Sequence, residues 1–341
     1  MSYRIAVVGV GAVGEAMIRT LRRRRFPMTE LRTLARSART IEIDGENYEV
    51  QPTAPGAFEG IDIALFAGTE GDKGASAEFA RAAVDSGAVV IDNSSFFRME
   101  PDIPLVVPEV NPDDLDRHEG IIANPNCSTI QMAVALKPLH DRGKLTRVIV
   151  STYQAVSGAG RSSVDALREQ AQAIAAGKEP PTFPDCFLGH VMAFNLLPQI
   201  DSFAEMGYTK EEWKMVKETQ KIFHDASLKI TATTVRVPVY IGHSESVYVE
   251  TEEKITADEA RELFRSVPGV VVMDNPAKGE YAMPTDAAGR DEVFISRVRE
   301  DPFIPNGLSF WVVADNLLKG AATNAVQIAE ELVRRGSVRS N

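Results

Sequence analysis

Cys127 stands at the point where an apolar segment ends and a helical pattern begins. The segment Ile121–Asn124 predicts a strand, and Pro125 lies in the turn that follows it. The spacing of Ile130 and Val134 predicts a helix that starts at Cys127. The free N–H groups and partial positive charge of a helix start stabilise a thiolate, which is the nucleophilic form of cysteine, and a nearby oxyanion. Two interpretations stay open: a reactive nucleophile, or a small buried core residue, because free cysteines are commonly interior.

A glycine pattern near the start of the chain is the second chemical signal. The run Gly9-Val-Gly-Ala-Val-Gly14 matches G-x-G-x-x-G, between an apolar strand and an amphipathic helix. Such glycines allow a tight turn, a close approach of the backbone to a pyrophosphate, and close helix–sheet packing. The pattern predicts a dinucleotide cofactor; the alternative is a glycine-rich turn without a ligand. The predicted contacts are Gly9, Gly11, Ala12, Val13 and Gly14.

The residues after the second predicted strand indicate which dinucleotide binds. An NAD site places an acidic residue about twenty positions beyond the glycines, where it accepts from the ribose 2′-hydroxyl. Here Leu34–Thr40 contains Arg36, Arg39 and two hydroxyl residues, and no acid. Arginines with hydroxyls suit a 2′-phosphate, so the sequence favours NADP; a solvated loop that carries two arginines is the alternative.

Composition excludes several classes of protein. The 341 residues carry 48 acidic and 37 basic side chains, a net charge of −11 that argues against broad binding to nucleic acid or anionic membranes. The basic run Arg22–Arg25 ends a predicted helix, whose negative end it complements. Two cysteines make a disulfide framework unexpected. With no signal-peptide pattern and no apolar run of membrane-spanning length, we expect a cytoplasmic protein.

The chain is long enough for two domains, and its pattern changes after Leu145. Strands and helices alternate before that point, which predicts an α/β fold with a Rossmann-like, doubly wound sheet. The predicted strands are Arg4–Val8, Leu31–Ala35, Asp62–Ala67, Ala88–Asp92, Leu105–Val107 and Ile121–Asn124, and the helices are Val13–Arg24 and Ala75–Ser86.

Strands cluster after Leu145 with few helices between them, which predicts an α+β domain with a mixed or antiparallel sheet. The predicted strands are Arg147–Tyr153, Val235–Ile241, Ser246–Thr251, Val270–Met273, Val293–Arg299 and Leu308–Ala314. The predicted helices are Val164–Ala176, Lys210–His224 and Leu317–Arg335, the last of which ends at Gly336.

Five ordered motifs resemble the aspartate-β-semialdehyde dehydrogenase family over nearly the whole chain. They are Ser94–Arg98, Asn124–Thr129, Ser151–Gly160, Glu211–Thr219 and Arg236–His243. That family reduces aspartyl phosphate with NADPH to aspartate semialdehyde and phosphate, on the branch to diaminopimelate, lysine, threonine and methionine. The resemblance implies an NADP-binding domain over residues 1–126 plus helix 316–336, a catalytic and dimerisation domain over 127–315, and a homodimer.

The resemblance also implies which side chains carry the chemistry. Cys127 would displace inorganic phosphate and hold the acyl group as a thioester, and Gln154 would hold the acyl substrate near the thiol. His243, at a predicted strand end, would shuttle protons near neutral pH. From residue type alone, a lone histidine is more often structural.

The substrate's carboxylate, amine and phosphate need charged partners. The resemblance implies Arg236 for the carboxylate, Glu211 for the amine, and Arg98 and Lys214 for the phosphate, with Asn126 beside the thiol. For Glu211 an alternative stays open, because Thr209-Lys-Glu-Glu212 is a capping box, and acidic residues are expected at a helix start.

The resemblance places Ser157, Gly158 and Asn316 near the nicotinamide end of the cofactor, although Asn316 could simply cap the last helix. The glycine loop is one residue shorter than the usual family pattern, and residues 35–40 match it only with a shift. Arg39, with Thr40, is therefore our choice for the 2′-phosphate, and Arg36 is the alternative.

Two rival functions stay open. One is a related reductase that uses an acyl-CoA or another acyl phosphate, and the other is a dinucleotide-binding regulator without turnover. We predict no metal, because cysteine and histidine are not clustered at ligand spacing.

Overall fold

The computed structural model describes residues 2–68 and 74–338. The chain divides into two compact units. The first unit consists of Met1–Asn126, Lys221–Phe223 and Gly320–Asn341, and the second of Cys127–Gln220 and His224–Lys319. Within the described ranges, no helix combines the length and the apolar character needed to cross a membrane.

The first unit holds a sheet with the strand order β3-β4-β2-β1-β5-β6-β7. Its strands are β1 Tyr3–Val8, β2 Met28–Ala35, β3 Arg39–Ile43, β4 Glu46–Pro52, β5 Ile63–Phe66, β6 Val89–Asp92 and β7 Ile121–Ala123. All neighbours pair in parallel except β3 and β4. The order reverses at β1, which has β2 on one side and β5 on the other, as in a Rossmann-like fold. The predicted doubly wound sheet is confirmed.

Helices of the first unit pack on this sheet. They are α1 Ala12–Arg23, α2 Ala75–Asp85 and α8 Thr323–Arg335, with 3-10 turns at Pro55–Phe58 and Pro112–Arg117. Arg24, just after α1, pairs with Glu330 of α8 at 2.6 Å, and Arg22 pairs with Glu46. The basic run at the end of α1 therefore contributes ion pairs within the unit.

Two features of the first unit differ from the predictions. The hairpin β3–β4 was not expected, because its side chains are mostly exposed and polar, so it lacks an apolar run. Its signal is the turn Asp44-Gly45, where both residues have positive φ, 53° and 82°. Predicted strand Leu105–Val107 is wrong: Leu105 forms only an isolated bridge with Ala123.

The second unit holds a sheet with the order β11-β12-β13-β10-β8-β9. Its strands are β8 Leu145–Gln154, β9 Lys229–Arg236, β10 His243–Thr251, β11 Val270–Val272, β12 Val293–Glu300 and β13 Gly307–Ala314. The pairs β8–β9 and β11–β12 are parallel and the other neighbours are antiparallel, which confirms the predicted mixed sheet.

Helices α3 to α7 precede or lie between these strands along the chain. They are α3 Cys127–Gly143, α4 Arg161–Ala175, α5 Lys210–Ile222, α6 Ala257–Arg265 and α7 Pro284–Ala287. Short 3-10 turns occupy Val156–Ala159, Phe187–Gly189, Glu205–Gly207 and Pro276–Lys278, and a π-helical turn occupies Leu318–Ala322. The last predicted helix thus starts as a π-helix and becomes α-helical at Thr323. Predicted strand Val235–Ile241 is wrong, since β9 ends at Arg236 and Pro238 has no N–H for a ladder.

Four strand ends meet at one edge of the second sheet. Parallel strands β8 and β9 end together at Gln154 and Arg236, which pair in register. Strand β10 runs antiparallel to β8 and begins at His243, and β13 ends at Ala314, opposite His243. Residues that are distant in sequence are therefore adjacent here.

Candidate active site

Helix α3 begins at Cys127, as the sequence predicted. The Cys127 thiol is partly exposed, whereas Cys186 is buried in an apolar cluster with Phe187 and Met192. The core interpretation therefore describes Cys186 and not Cys127. First-turn N–H groups of a helix have no intrahelical partner and favour negative charge, so this position stabilises a thiolate.

Ala155 joins two of the candidate side chains at this edge of the sheet, those of Arg236 and His243, through its backbone. Its N–H donates to Nδ1 of His243 at 3.0 Å, and its carbonyl accepts from Nη1 of Arg236 at 2.8 Å. Both side chains are buried, and Arg236 interacts electrostatically with Cys127 and Glu211. The guanidinium and the imidazole are thus held in fixed orientations within the second unit.

His243 has 0% exposure, and burial lowers the pKa of its imidazole well below the usual range, with the positive charge of Arg236 acting in the same direction. Because Nδ1 accepts from Ala155, this bonding assigns the proton of the neutral ring to Nε2. Nε2 has no hydrogen-bond partner among the described residues. The expectation that His243 titrates near neutrality is therefore corrected: burial keeps the ring neutral, as an Nε2–H donor.

The backbone of Gly158 lies close to the side chains of Arg236 and His243. A Cβ added to Gly158 would lie 3.0 Å from Nη1 of Arg236 and 3.1 Å from Nε2 of His243, tighter than ordinary van der Waals contact. Only glycine fits here without displacing one of the two groups.

Asn316 is tied to the loop that contains Ser157. Its Nδ2 donates to Oγ of Ser157 at 3.0 Å, and its Oδ1 accepts from the Gly242 N–H at 3.0 Å. The expected alternative, a helix cap by Asn316, is not what the structure has. Asp315 performs that role, because its Oδ1 accepts from the N–H groups of Leu317 and Leu318.

Glu211 connects Gln154 to Lys214. Oε1 of Glu211 accepts from Nε2 of Gln154 at 3.3 Å, and Oε2 accepts from Nζ of Lys214 at 3.2 Å. Lys214 also pairs with Asp201 at 3.0 Å. The structure therefore brings Gln154, Glu211 and Lys214 into one chain of polar contacts.

The capping box predicted for α5 is confirmed, and it uses Glu212. The Thr209 N–H donates to Oε2 of Glu212 at 2.7 Å, and the Glu212 N–H donates to Oγ1 of Thr209 at 3.3 Å. The neighbouring Glu211 is left for Gln154 and Lys214. The capping interpretation thus applies to Glu212, and the contact of Glu211 with the substrate amine stays a prediction.

The glycine loop of the first unit has the geometry of a dinucleotide cradle. Gly9 has φ +93°, and a Cβ on Gly14 would lie 1.8 Å from the Gly9 carbonyl oxygen, so both positions require glycine. At Gly11, which precedes α1, an added Cβ would meet no atom of the described residues within 4 Å. The open backbone at a helix start fits a pyrophosphate.

The residues predicted to discriminate between NAD and NADP lie in the turn after β2 and at the start of β3. Arg36 and Arg39 are exposed, and Nη1 of Arg39 donates to the Ser37 carbonyl at 3.3 Å. The Thr40 hydroxyl donates to Glu49 at 2.8 Å. Both arginines follow the carboxyl end of β2, the part of a Rossmann-like fold that borders the adenosine ribose in dinucleotide complexes.

Arg98 and Asn126 are buried residues of the first unit. Nη2 of Arg98 donates to the Asn93 carbonyl at 2.8 Å. Nearby Asp92 accepts from the hydroxyls of Ser76 and Ser94 at 2.5 and 2.6 Å. Burial raises the pKa of Asp92, although those hydrogen bonds and Arg98 act to lower it. Arg98 is thus anchored by backbone and electrostatic contacts.

Residues 2–68 and 74–338 contain no group of three or more histidine, cysteine or acidic side chains that could hold a metal ion. Three side chains near the sheet edge were missed by the sequence interpretation: Gln131, Glu245 and Asp315. A signal existed for two of them, because Gln131 is one helical turn after Cys127, and Glu245 follows His243 on the same face of β10.

Comparisons with known proteins cover both units. The family model described as "Semialdehyde dehydrogenase, NAD binding domain" matches residues 4–118, and "Semialdehyde dehydrogenase, dimerisation domain" matches residues 136–319. An aspartate-semialdehyde dehydrogenase of Aquifex aeolicus is 53% identical over 99% of this chain and 100% of its own. That of Bacillus subtilis is 50% identical, with 96% of each chain covered. The crystal structure of aspartate semialdehyde dehydrogenase II from Vibrio cholerae complexed with ASA has a TM-score of 0.92 and 46% identity, covering 98% of this chain and 99% of that one.

Proposed function

This chain belongs to the aspartate-semialdehyde dehydrogenase family, and on that premise we propose that it reduces L-aspartyl 4-phosphate to L-aspartate 4-semialdehyde with NADPH. The observation that carries this proposal is the pair of hydrogen bonds by which Ala155 holds His243 and Arg236. They fix a neutral donor and a cation at the edge where Gln154 ends β8, and Arg236 is within electrostatic reach of Cys127.

Cys127 is the nucleophile of the proposed reaction. Its thiolate attacks the acyl carbon of the substrate and forms a C–S bond, while the carbonyl electrons move to oxygen. When this tetrahedral intermediate collapses, the bond from carbon to the phosphate oxygen breaks, and inorganic phosphate leaves a thioester on Cys127. The helix start and the positive charge of Arg236 favour the thiolate form.

His243 stabilises the oxyanion of that intermediate in the proposed mechanism. Its Nε2–H is buried and has no partner among the described residues, so it can donate to an oxygen that gains charge. A neutral donor in a buried site stabilises developing negative charge without having to be reorganised. Since Ala155 N–H opposes a second proton on Nδ1, His243 acts as a donor throughout.

Bound NADPH supplies the hydride that reduces the thioester carbon. The residues proposed to hold it are Gly9, Gly11, Ala12, Val13, Gly14, Arg39, Thr40, Ser157, Gly158 and Asn316. After reduction the C–S bond breaks, the thiolate of Cys127 is regenerated and the aldehyde is released. A nicotinamide cofactor agrees with the matched NAD binding domain; NADP in particular rests on the arginines after β2.

The remaining contacts orient the substrate. We assign the substrate carboxylate to Arg236, its amine to Glu211 and its phosphate to Arg98 and Lys214, with Gln154 and Asn126 beside the acyl group. The planar fork of an arginine suits bidentate pairing with a carboxylate. A homodimer through the second unit, residues 127–315 as catalytic domain, and a cytoplasmic location complete the proposal.

The decisive assay compares two substrate pairs with the same enzyme in the oxidative direction. We expect NADP reduction with aspartate semialdehyde plus phosphate, and none with malonate semialdehyde plus CoA. Cys127→Ala should abolish turnover while NADP binding by calorimetry persists. Activity only with the CoA pair would establish the rival acyl-CoA reductase. NADP binding without turnover on either pair would favour the regulatory alternative, and activity in Cys127→Ala would refute the thioester.

A further inference from the structure

Two buried polar side chains link the helix of Cys127 to the strand of His243. Gln131 lies on α3 one turn after Cys127, and Glu245 lies on β10 on the same face as His243; both have 0% exposure. Nε2 of Gln131 donates to the His243 backbone carbonyl at 3.3 Å. The amide of Gln131 therefore connects the two elements that carry the proposed nucleophile and the proposed oxyanion donor.

Acceptors exceed donors around this amide. Oε1 of Gln131 and both carboxyl oxygens of Glu245 are buried without a hydrogen-bond partner among the described residues. Gln131 is nevertheless the neighbour whose side chain acts on the Glu245 carboxyl group, although no hydrogen bond of good geometry joins the two side chains. An ionised carboxylate in this position would be buried with neither oxygen satisfied, which is highly unfavourable. A proton on Glu245 removes the charge and supplies an O–H donor for Oε1 of Gln131.

The surroundings of Glu245 offer no compensating cation in the described ranges. In register with it are Thr152 on β8 and Val312 on β13, and α3 contributes Gln131. Of the titratable groups on these elements, His243 lies two residues before Glu245 on its own strand, and Cys127 lies one helical turn before Gln131 on α3. Burial raises the pKa of Glu245 well above its ordinary value, and the Gln131 amide opposes this only in part.

We propose that Glu245 is a positioning residue: protonated, it donates to Gln131, whose amide then holds the start of α3 at a fixed distance from the backbone of His243. This inference rests on the proposed function, because its consequence is the alignment of the Cys127 thiolate with Nε2–H of His243. Misplacement of reacting groups by a fraction of an ångström to an ångström is costly in rate.

Four variants of the full-length enzyme test this role. Glu245→Gln keeps a neutral donor toward Gln131, so kcat should stay within about threefold of wild type, whereas Glu245→Leu and Gln131→Met should lower kcat roughly 10-fold or more with little change in KM. Val249→Ala is the matched control, because Val249 is a fully buried apolar residue on the same face of β10. It should reduce thermal stability comparably and leave kcat near wild type.

Infrared difference spectroscopy gives a readout that a merely structural role would not produce. The wild-type minus Glu245→Gln spectrum at pH 7 should contain the carbonyl stretch of a protonated carboxyl group. Absence of that band, or kcat losses in Glu245→Leu and Gln131→Met no larger than in Val249→Ala, would overturn the proposal. Failure of the proposed function is recognised separately: either the wild-type enzyme shows no turnover with aspartate semialdehyde and phosphate, or Cys127→Ala retains that turnover, whatever the Glu245 variants do.

Discussion

The backbone N–H of Ala155 donates to Nδ1 of His243 at 3.0 Å, and the carbonyl of the same residue accepts a hydrogen bond from Arg236. This one contact determines the tautomer of the imidazole, because a nitrogen that accepts an N–H carries no proton. His243 is consequently a neutral donor at Nε2 and is disfavoured as an imidazolium. In the proposed reaction it stabilises an oxyanion, and it does not alternate between base and acid.

The loss of activity on substitution of His243 should therefore depend on where the new side chain places a hydrogen-bond donor. His243→Ala and His243→Asn should lower kcat by roughly 10²–10³-fold, the usual effect of losing an oxyanion donor. His243→Gln can place an amide N–H near the former Nε2 and should retain more activity than either. Steady-state kinetics with aspartate semialdehyde and phosphate check the order, and equal losses in all three variants would contradict a donor role.

Stability should depend on pH through the same histidine. Burial lowers the native pKa of His243 below the unfolded value of about 6.5, so below that pH the unfolded chain binds a proton that the native ring does not. The resulting loss of stability deepens as the pH falls from about 6.5 toward the native pKa. His243→Gln removes this contribution. Urea denaturation measures the free energy of unfolding of both proteins. The difference, variant minus wild type, should become larger as the pH is lowered from 7 to 5.5, and a constant difference would contradict this role of His243.

Gly158→Ala should lower activity without unfolding the protein. Its Cβ would lie 3.0 Å from Arg236 and 3.1 Å from His243, so it must displace groups of the proposed site. We expect kcat/KM to fall by about 10-fold or more. Gly56→Ala is the control, because there the added Cβ meets only Glu59 at 3.9 Å. Equal activity of the two variants would show that the close approach has no functional role.

The glycine loop allows fold and cofactor binding to be separated. Gly11→Ala introduces a Cβ that meets no atom of residues 2–68 and 74–338 within 4 Å, so the fold should persist while NADP affinity falls, because the methyl group occupies the expected position of the pyrophosphate. Gly14→Ala places its Cβ 1.8 Å from the Gly9 carbonyl and should reduce thermal stability as well. Calorimetric titration and thermal denaturation distinguish these cases. Unchanged NADP affinity in Gly11→Ala would remove this loop from the cofactor site.

Cofactor preference should depend on the arginines after β2. Arg39→Ala should raise KM for NADP by about 10-fold or more, the value of a hydrogen bond to a charged group, and leave KM for NAD unchanged. Arg36→Ala is the matched comparison, because Arg36 is also an exposed arginine and lies three residues before Arg39. A larger effect at Arg36 would transfer the 2′-phosphate contact to that residue, and no effect at either would contradict the preference for NADP.

Local patterns determined much of this protein. Glycines between a strand and a helix predicted the cradle at Gly9–Gly14, the apolar spacing after Cys127 predicted the start of α3, and Thr209 with Glu212 predicted a capping box. Each depends on residues a few positions apart, for which sequence spacing and spatial distance are nearly equivalent. The ordered motifs carried the family resemblance, and that resemblance is confirmed.

Only the tertiary structure determined which polar groups form hydrogen bonds with one another. Residues 155 and 243 meet because two antiparallel strands share a register, and Gln131 reaches His243 because α3 packs on β10. The same packing buries Glu245 with no cation beside it among the described residues, which raises the pKa of its carboxyl group well above the ordinary value. Sequence spacing carries no information on such pairs, since their separation in space follows from sheet register and helix packing and not from their distance along the chain.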